Sequence, residues 1–273
     1  METPKLRAPQ GATDTHMHVY EPGHAMAGTA LIKPPHGPLA DYRLVQKRLG
    51  LERVVIVQPS SYGIDNTCTM EAVEKLGDSA RCVVTIDDTT SDDELAALTK
   101  KGARGVRFFM LPGGAVPWEI MDRMAARTHE HGWHVQLQLD GRTLPDRLAQ
   151  LKRLPGGLVI DHIGRMHEPV PLDHAGVKAL FELVDRGAWV KLSAPYESSE
   201  EGPPVYSDVG LLAGALAKRA PERMLWASNW PHPSHEPRPD DAMMLDTLLH
   251  WIDDEPLRER ILVDNPARLY GWA

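Results

Sequence analysis

Eight short apolar runs, each followed by a longer stretch of helical spacing, recur along the whole chain, and this alternation restricts the fold more than any other feature. The runs are ATDTHMHV (12–19), RVVIVQP (53–59), RCVVTID (81–87), GVRFFML (105–111), HVQLQLD (134–140), GLVIDHI (157–163), AWVKLSA (188–194) and MLWASN (224–229). Several are nearly unbroken Val, Ile and Leu, as expected of parallel strands covered on both faces. Among the intervening stretches, 92–102, 118–132 and 209–219 have helical spacing, and the first two end at glycine, a usual helix stop. Eight such units predict an α/β fold, a (β/α)8 TIM barrel, for which about 250 residues is typical. The competing arrangement is an open doubly wound sheet, but no G-x-G-x-x-G follows the first run. With no Ser/Gly linker and no shift in composition, residues 1–273 read as a single barrel domain. The Pro- and Gly-rich segment 21–38 is predicted to be a long loop over the barrel mouth.

A hydrophobic content of 42% supports a sizeable core, and a formal charge of −8 without any Lys/Arg run argues against nucleic acid and membrane partners. The first ten residues are polar, and no apolar stretch approaches the roughly 20 residues of a membrane span. Cys68 and Cys82 are too few for a disulfide framework and lack zinc-finger spacing. A cytoplasmic enzyme acting on a small molecule is the expectation.

Barrel enzymes carry their chemistry at the C-terminal ends of the strands. In the first run, alternation places His16 and His18 on one strand face, as a functional pair or as hydrogen-bonded structural histidines. The sixth run ends in DHIGR, with His162 and Arg165, and the eighth leads into SNWPHP, with Asn229 and His232. Arg107 is a cation inside an apolar run and, once buried, needs an anion, either a protein carboxylate or the substrate. Gln138 and Asp140 close the fifth run. Ser60 offers a hydroxyl in QPSSYGIDN, where Asp65 reads as a helix cap. Tyr196, Glu197 and Ser198 follow the seventh run, as a loop turn or as substrate contacts. His134 begins the fifth run, at the opposite end of the barrel, and reads as structural; Arg104 precedes the fourth run and is expected to face solvent.

TDTHMH, DHIGR, SNWPHP and LVDNPARLY (262–270), in that order over nearly the whole chain, resemble the amidohydrolase superfamily. More narrowly, they resemble its branch of pyrone-dicarboxylate lactonases and galactarolactone isomerases. The resemblance implies a distorted barrel that acts, without a metal, on a lactone of a sugar-derived or aromatic-derived dicarboxylic acid. It also implies that His16, His18 and His162 polarise the carbonyl while Arg107 and Arg165 hold an acid group. Two departures from the lactonases stand out: Asn229 occupies the position of their Asp, and Gly113 and Glu197 occupy those of further arginines. LPGGAV (111–116), YESS (196–199) and NWPH (229–232) resemble the galactarolactone isomerase subgroup instead.

An amide cannot accept a proton, so at Asn229 the general-base activation of water, worth about 10²–10⁴-fold, is missing. A sugar lactone brings its own nucleophile, a hydroxyl that can close a ring of different size with an effective molarity of up to about 10⁵–10⁸ M. The expected reaction is therefore isomerisation of an aldaro-1,5-lactone to the 1,4-lactone. The three histidines, in cationic form if needed, would stabilise the oxyanion, Asn229 would orient the substrate and His232 would move the proton. Gln138, Tyr196 and Ser60 are expected substrate contacts. No cofactor is expected; if a metal is present, zinc on His16, His18 and His162 is the alternative. Other readings are plain hydrolysis, with Glu197 or a metal replacing the base, and a binding barrel without turnover. Trp and Leu side chains in the last helices either close the barrel or form a dimer interface.

Overall fold

The computed structural model describes residues 3–272. Its strands are β1 (Thr13–Met17), β2 (Arg53–Val57), β3 (Ala80–Val84), β4 (Ala103–Phe109), β5 (His134–Gln138), β6 (Leu158–Ile160), β7 (Trp189–Leu192) and β8 (Met224–Trp226). Each pairs in parallel with the next, in the order β1 to β8. The β8–β1 seam is closed by isolated bonds instead of a ladder. Asn229 N–H donates to His16 O at 2.9 Å, His18 N–H to Trp230 O at 2.8 Å and Thr15 Oγ1 to Trp226 O at 2.8 Å. This seam departs from regularity, as do register shifts at the β1–β2 and β3–β4 pairings, and the (β/α)8 expectation holds.

The crossover helices are α1 (Leu39–Leu49), α2 (Thr67–Leu76), α3 (Asp92–Lys100), α4 (Met121–His129), α5 (Leu144–Leu151), α6 (Ala175–Asp185) and α7 (Ser207–Arg219), followed after β8 by α8 (Asp241–Trp251). Ser91 and Glu94 close a capping box that starts α3, a signal present in the S-x-x-E spacing. The stretch 118–132 divides into a 3-10 turn, Trp118–Ile120, and α4, and α7 starts two residues earlier than its apolar spacing indicates.

Most strands are shorter than their apolar runs, and the trimmed residues carry the chemistry. His18, His162, Ser193 and Asn229 all lie just beyond the ends of β1, β6, β7 and β8. Inside the barrel, Val55, Val57, Val83, Val159, Trp189 and Leu225 form an apolar floor beneath these groups, while the larger core fills the space between strands and helices. Segment 21–38 crosses the β2–β4 side of the mouth: Ala27 N–H donates to Ser61 O at 2.8 Å, and Ser61 Oγ donates to Ile32 O at 2.8 Å. Trp251 at the end of α8 is turned inward, packing on Gly210 and donating its indole N–H to Val205 O, so it helps close the barrel. Among the described residues no helix is long and apolar enough to cross a membrane.

Candidate active site

A register shift in β1 between Asp14 and Met17 aims His16 and His18 into the barrel, a use of strand irregularity common beside active sites. The irregular segment is pinned by buried Asp14, which accepts from His16 N–H, Ser228 N–H, Ser228 Oγ and Tyr42 OH. Burial pushes the Asp14 carboxyl up to about 6 against those hydrogen bonds.

His18 Nδ1–H donates to Val57 O at 2.8 Å, which leaves Nε2 as its acceptor nitrogen. His16 Nε2 lies 3.3 Å from that atom and donates to it when both rings are neutral. Burial, aided by nearby cations, holds all three imidazoles on the neutral side, with His16 and His162 well below their usual range and His18 down to about 3. Burial thus disfavours the cationic form that the sequence left open, and leaves neutral N–H groups to help an oxyanion. His162 offers one from Nε2 when the Ser193 hydroxyl, 2.9 Å away, donates to its Nδ1.

Below the histidines is a buried charge cluster. Lys191 Nζ donates to Thr15 O and Gln136 Oε1, each at 2.7 Å, and stands 3.8 Å from Asp161 Oδ1. Gln136 Nε2 donates to Asp161 Oδ2 at 3.1 Å, and Asp161 Oδ1 is 3.3 Å from His16 Nδ1. Desolvation brings the Lys191 ammonium down to about 7, opposed by the Asp161 charge.

Arg107 is 3% exposed and has no carboxylate partner among the described residues, so it is not half of a structural ion pair. Its guanidinium donates to Gln58 O at 2.5 Å and to Gln138 Oε1 at 2.8 Å, lies over the Phe109 ring, and keeps its buried Nε–H unpartnered. Arg165, expected to share the acid-binding role, is instead held by Glu197 at 2.6 Å, because the β7 loop brings that carboxylate against it. Gly113 also proves unable to regain a side chain cheaply: its φ is +92° and an added Cβ would sit 3.0 Å from Leu31 N of the mouth loop. Among the described residues of the site, Arg107 is thus the guanidinium without a carboxylate partner.

Asn229 lies three residues past β8, and its Nδ2 donates to Tyr196 OH at 2.9 Å while its buried Oδ1 has no partner among the described residues. His232 does not face the cavity alone; Nδ1 meets Tyr196 OH at 3.0 Å and Nε2 meets Asp241 Oδ1 at 2.9 Å. His162, Asn229 and His232 adopt φ of 54°, 61° and 60°, a left-handed conformation that costs non-glycine residues about 1–3 kcal/mol each and gathers at functional sites. Ser60 opens the turn after β2 and takes no part in this hydrogen-bonded cluster, and Asp140 is tied to Arg142. His134 lies edge-to-face with Tyr270 at the opposite barrel end, away from this cluster.

The sequence profile of the Amidohydrolase family matches residues 13–272. The chain belongs to the amidohydrolase family. It is 39% identical to the D-galactarolactone isomerase of Agrobacterium fabrum (strain C58 / ATCC 33970), with 98% of this chain and 93% of that protein covered. It is 37% identical to the 4-sulfomuconolactone hydrolase of Rhizobium radiobacter, over 96% of this chain and 91% of that one. An apo crystal structure of an Agrobacterium tumefaciens protein superposes with a TM-score of 0.93 at 39% identity, covering 99% of both chains.

Metal use in this amidohydrolase can be tested on its donors. His16, Asp161 and His162 present one ligand atom each within 4.8 Å of one another, and Asp161 Oδ1 is buried without a hydrogen-bond partner. The set fits a divalent ion, with Asp161 standing where the sequence suggested His18. An ion there would supply Lewis-acid polarisation of a carbonyl. Against it, Lys191 Nζ already stands 3.8 Å from Asp161 Oδ1, and Asn229, three residues past β8, is an amide. Lys191 and Asp161 went unnoticed in the sequence. Lys191 in WVKL carries the same signal that singled out Arg107, a cation inside an apolar run.

Proposed function

We propose that this amidohydrolase isomerises a carboxylate-bearing sugar-acid lactone, converting an aldaro-1,5-lactone to its 1,4-lactone by intramolecular acyl transfer without a metal. The observation that carries the reading is Asn229, an amide with a buried, unpartnered Oδ1 where a water-activating base would stand. That oxygen can accept from a substrate hydroxyl and hold it for attack, but it cannot take the proton away. Arg107 binds the single free carboxylate that a diacid monolactone retains. His162 Nε2–H polarises the carbonyl, while the His16–His18 pair and the Lys191–Asp161 cluster hold the wall against which the ring sits. The identity to a D-galactarolactone isomerase supports the same chemistry.

One observation favours hydrolysis as a second reading. Glu197 Oε1 lies 3.9 Å from His162 Nε2, and burial raises that carboxyl above its usual range, against the pull of Arg165. The two readings separate by acid release. Incubation with a panel of aldaro-1,5- and 1,4-lactones, followed by NMR in a pH-stat, is expected to show ring-size exchange with no titrant uptake. Titrant uptake matching substrate loss, with no ring isomer formed, would refute isomerisation. For the metal, protein prepared with and without chelator is expected to keep the same turnover and to contain well under one equivalent of zinc. Stoichiometric zinc whose removal abolishes turnover would overturn the metal-free part of the proposal.

A further inference from the structure

Tyr196 OH sits in a continuous hydrogen-bonded line of four side chains. Asn229 Nδ2 donates to its oxygen at 2.9 Å, its own proton faces His232 Nδ1 at 3.0 Å, and His232 Nε2 reaches Asp241 Oδ1 at 2.9 Å. Asp241 is the first residue of α8, where the helix dipole favours negative charge, and its Oδ2 lies 3.5 Å from Arg48 Nη2. A carboxylate can only accept, so His232 carries its proton on Nε2 and presents a lone pair at Nδ1 to the phenol. The order of groups is that of a hydroxyl activated by an imidazole that a carboxylate orients, with a phenol in the hydroxyl position.

Resting on the isomerase reading, we propose that Tyr196 is a catalytic acid–base residue of this site and that His232 and Asp241 are positioning residues that act through it. As the substrate hydroxyl oxygen bonds to the acyl carbon, its proton passes to the Tyr196 oxygen and the Tyr196 proton passes to His232 Nδ1. When the tetrahedral adduct collapses, the bond from the acyl carbon to the original ring oxygen breaks. That oxygen takes a proton from Tyr196, which His232 Nδ1 resupplies. No proton is gained or lost, so the relay needs no exchange with solvent, as suits a reaction that exchanges two hydroxyl oxygens of one molecule. The His235 ring packs at a tilt against the Tyr196 ring with centroids 4.5 Å apart and restrains the phenol, and Glu197 follows it in the chain.

The test pairs kinetics with a tautomer measurement that needs no substrate. Tyr196→Phe is expected to lower kcat about 10²–10⁴-fold, the usual share of a general acid–base group, with KM within about threefold of wild type. Asp241→Asn should lower kcat comparably, because its amide can donate to Nε2 and move the imidazole proton to Nδ1, and Asp241→Glu should restore much of the loss. Nitrogen NMR of the resting wild type is expected to place the His232 proton on Nε2. A proton on Nδ1 in the wild type, or a Tyr196→Phe kcat within threefold of wild type, overturns the relay. A wild type that only hydrolyses lactones overturns the isomerase reading, and the relay is then judged on the tautomer alone.

Discussion

Asn229→Asp is expected to raise lactone hydrolysis by about 10²–10⁴-fold, the range a positioned general base contributes. The substitution changes one atom of the side chain and keeps its shape, so the backbone bond from residue 229 to His16 O and the left-handed turn should survive. Two consequences follow from the new charge. The carboxylate oxygen that replaces Nδ2 stops donating to Tyr196 and accepts from it, drawing the phenol proton away from His232. The other oxygen, unpartnered in the wild type, can bind and deprotonate water. Ring exchange should therefore fall while acid release rises, and a pH-stat trace run beside NMR of the same sample records both. Unchanged acid release in a folded variant would show that the amide at 229 does not decide between water and an internal hydroxyl.

The barrel was legible because a parallel strand covered on both faces needs apolar residues throughout, which makes each run conspicuous in WVKL or RVVIV as much as in GLVI. The strand ends were less so. His162 and Asn229 leave the ladder in left-handed turns, a conformation no composition announces. His16 and His18 were found as a pair, but the register shift that aims them inward depends on how β1 meets β2. Charge pairing across loops was hidden most. Arg165 and Glu197 are 32 positions apart, so nothing in DHIGR shows that its cation is already neutralised. Asp241 stands in a Pro-Asp-Asp segment that reads as an ordinary helix start, and it becomes significant only when α8 places it against His232. The neutral state of the histidines is a desolvation effect, set by the finished barrel and the nearby Lys191 and Arg107.

Arg107→Met is expected to weaken transition-state binding of a lactone bearing a free carboxylate by about 2–5 kcal/mol, roughly 30- to 5,000-fold in kcat/KM. Against the same lactone with that carboxylate masked as an amide, the loss should be within a few-fold. The contrast follows from the surroundings of the guanidinium. Among the described residues only two of its five donors meet protein acceptors, Gln58 O and Gln138 Oε1, and its Nε–H is left over inside a buried site. A cation kept for folding would be matched by a protein carboxylate, and removing it would strand that partner at a cost of about 3–5 kcal/mol. Here no such partner is stranded among the described residues; the variant loses two neutral-acceptor hydrogen bonds and gains relief from burying a charge, so its melting temperature should shift little. Steady-state kinetics on the two substrates, with a thermal melt of the same preparation, decide the matter. Equal losses on both lactones, or a collapse in melting temperature, would make Arg107 a structural residue and remove the carboxylate from the recognition scheme.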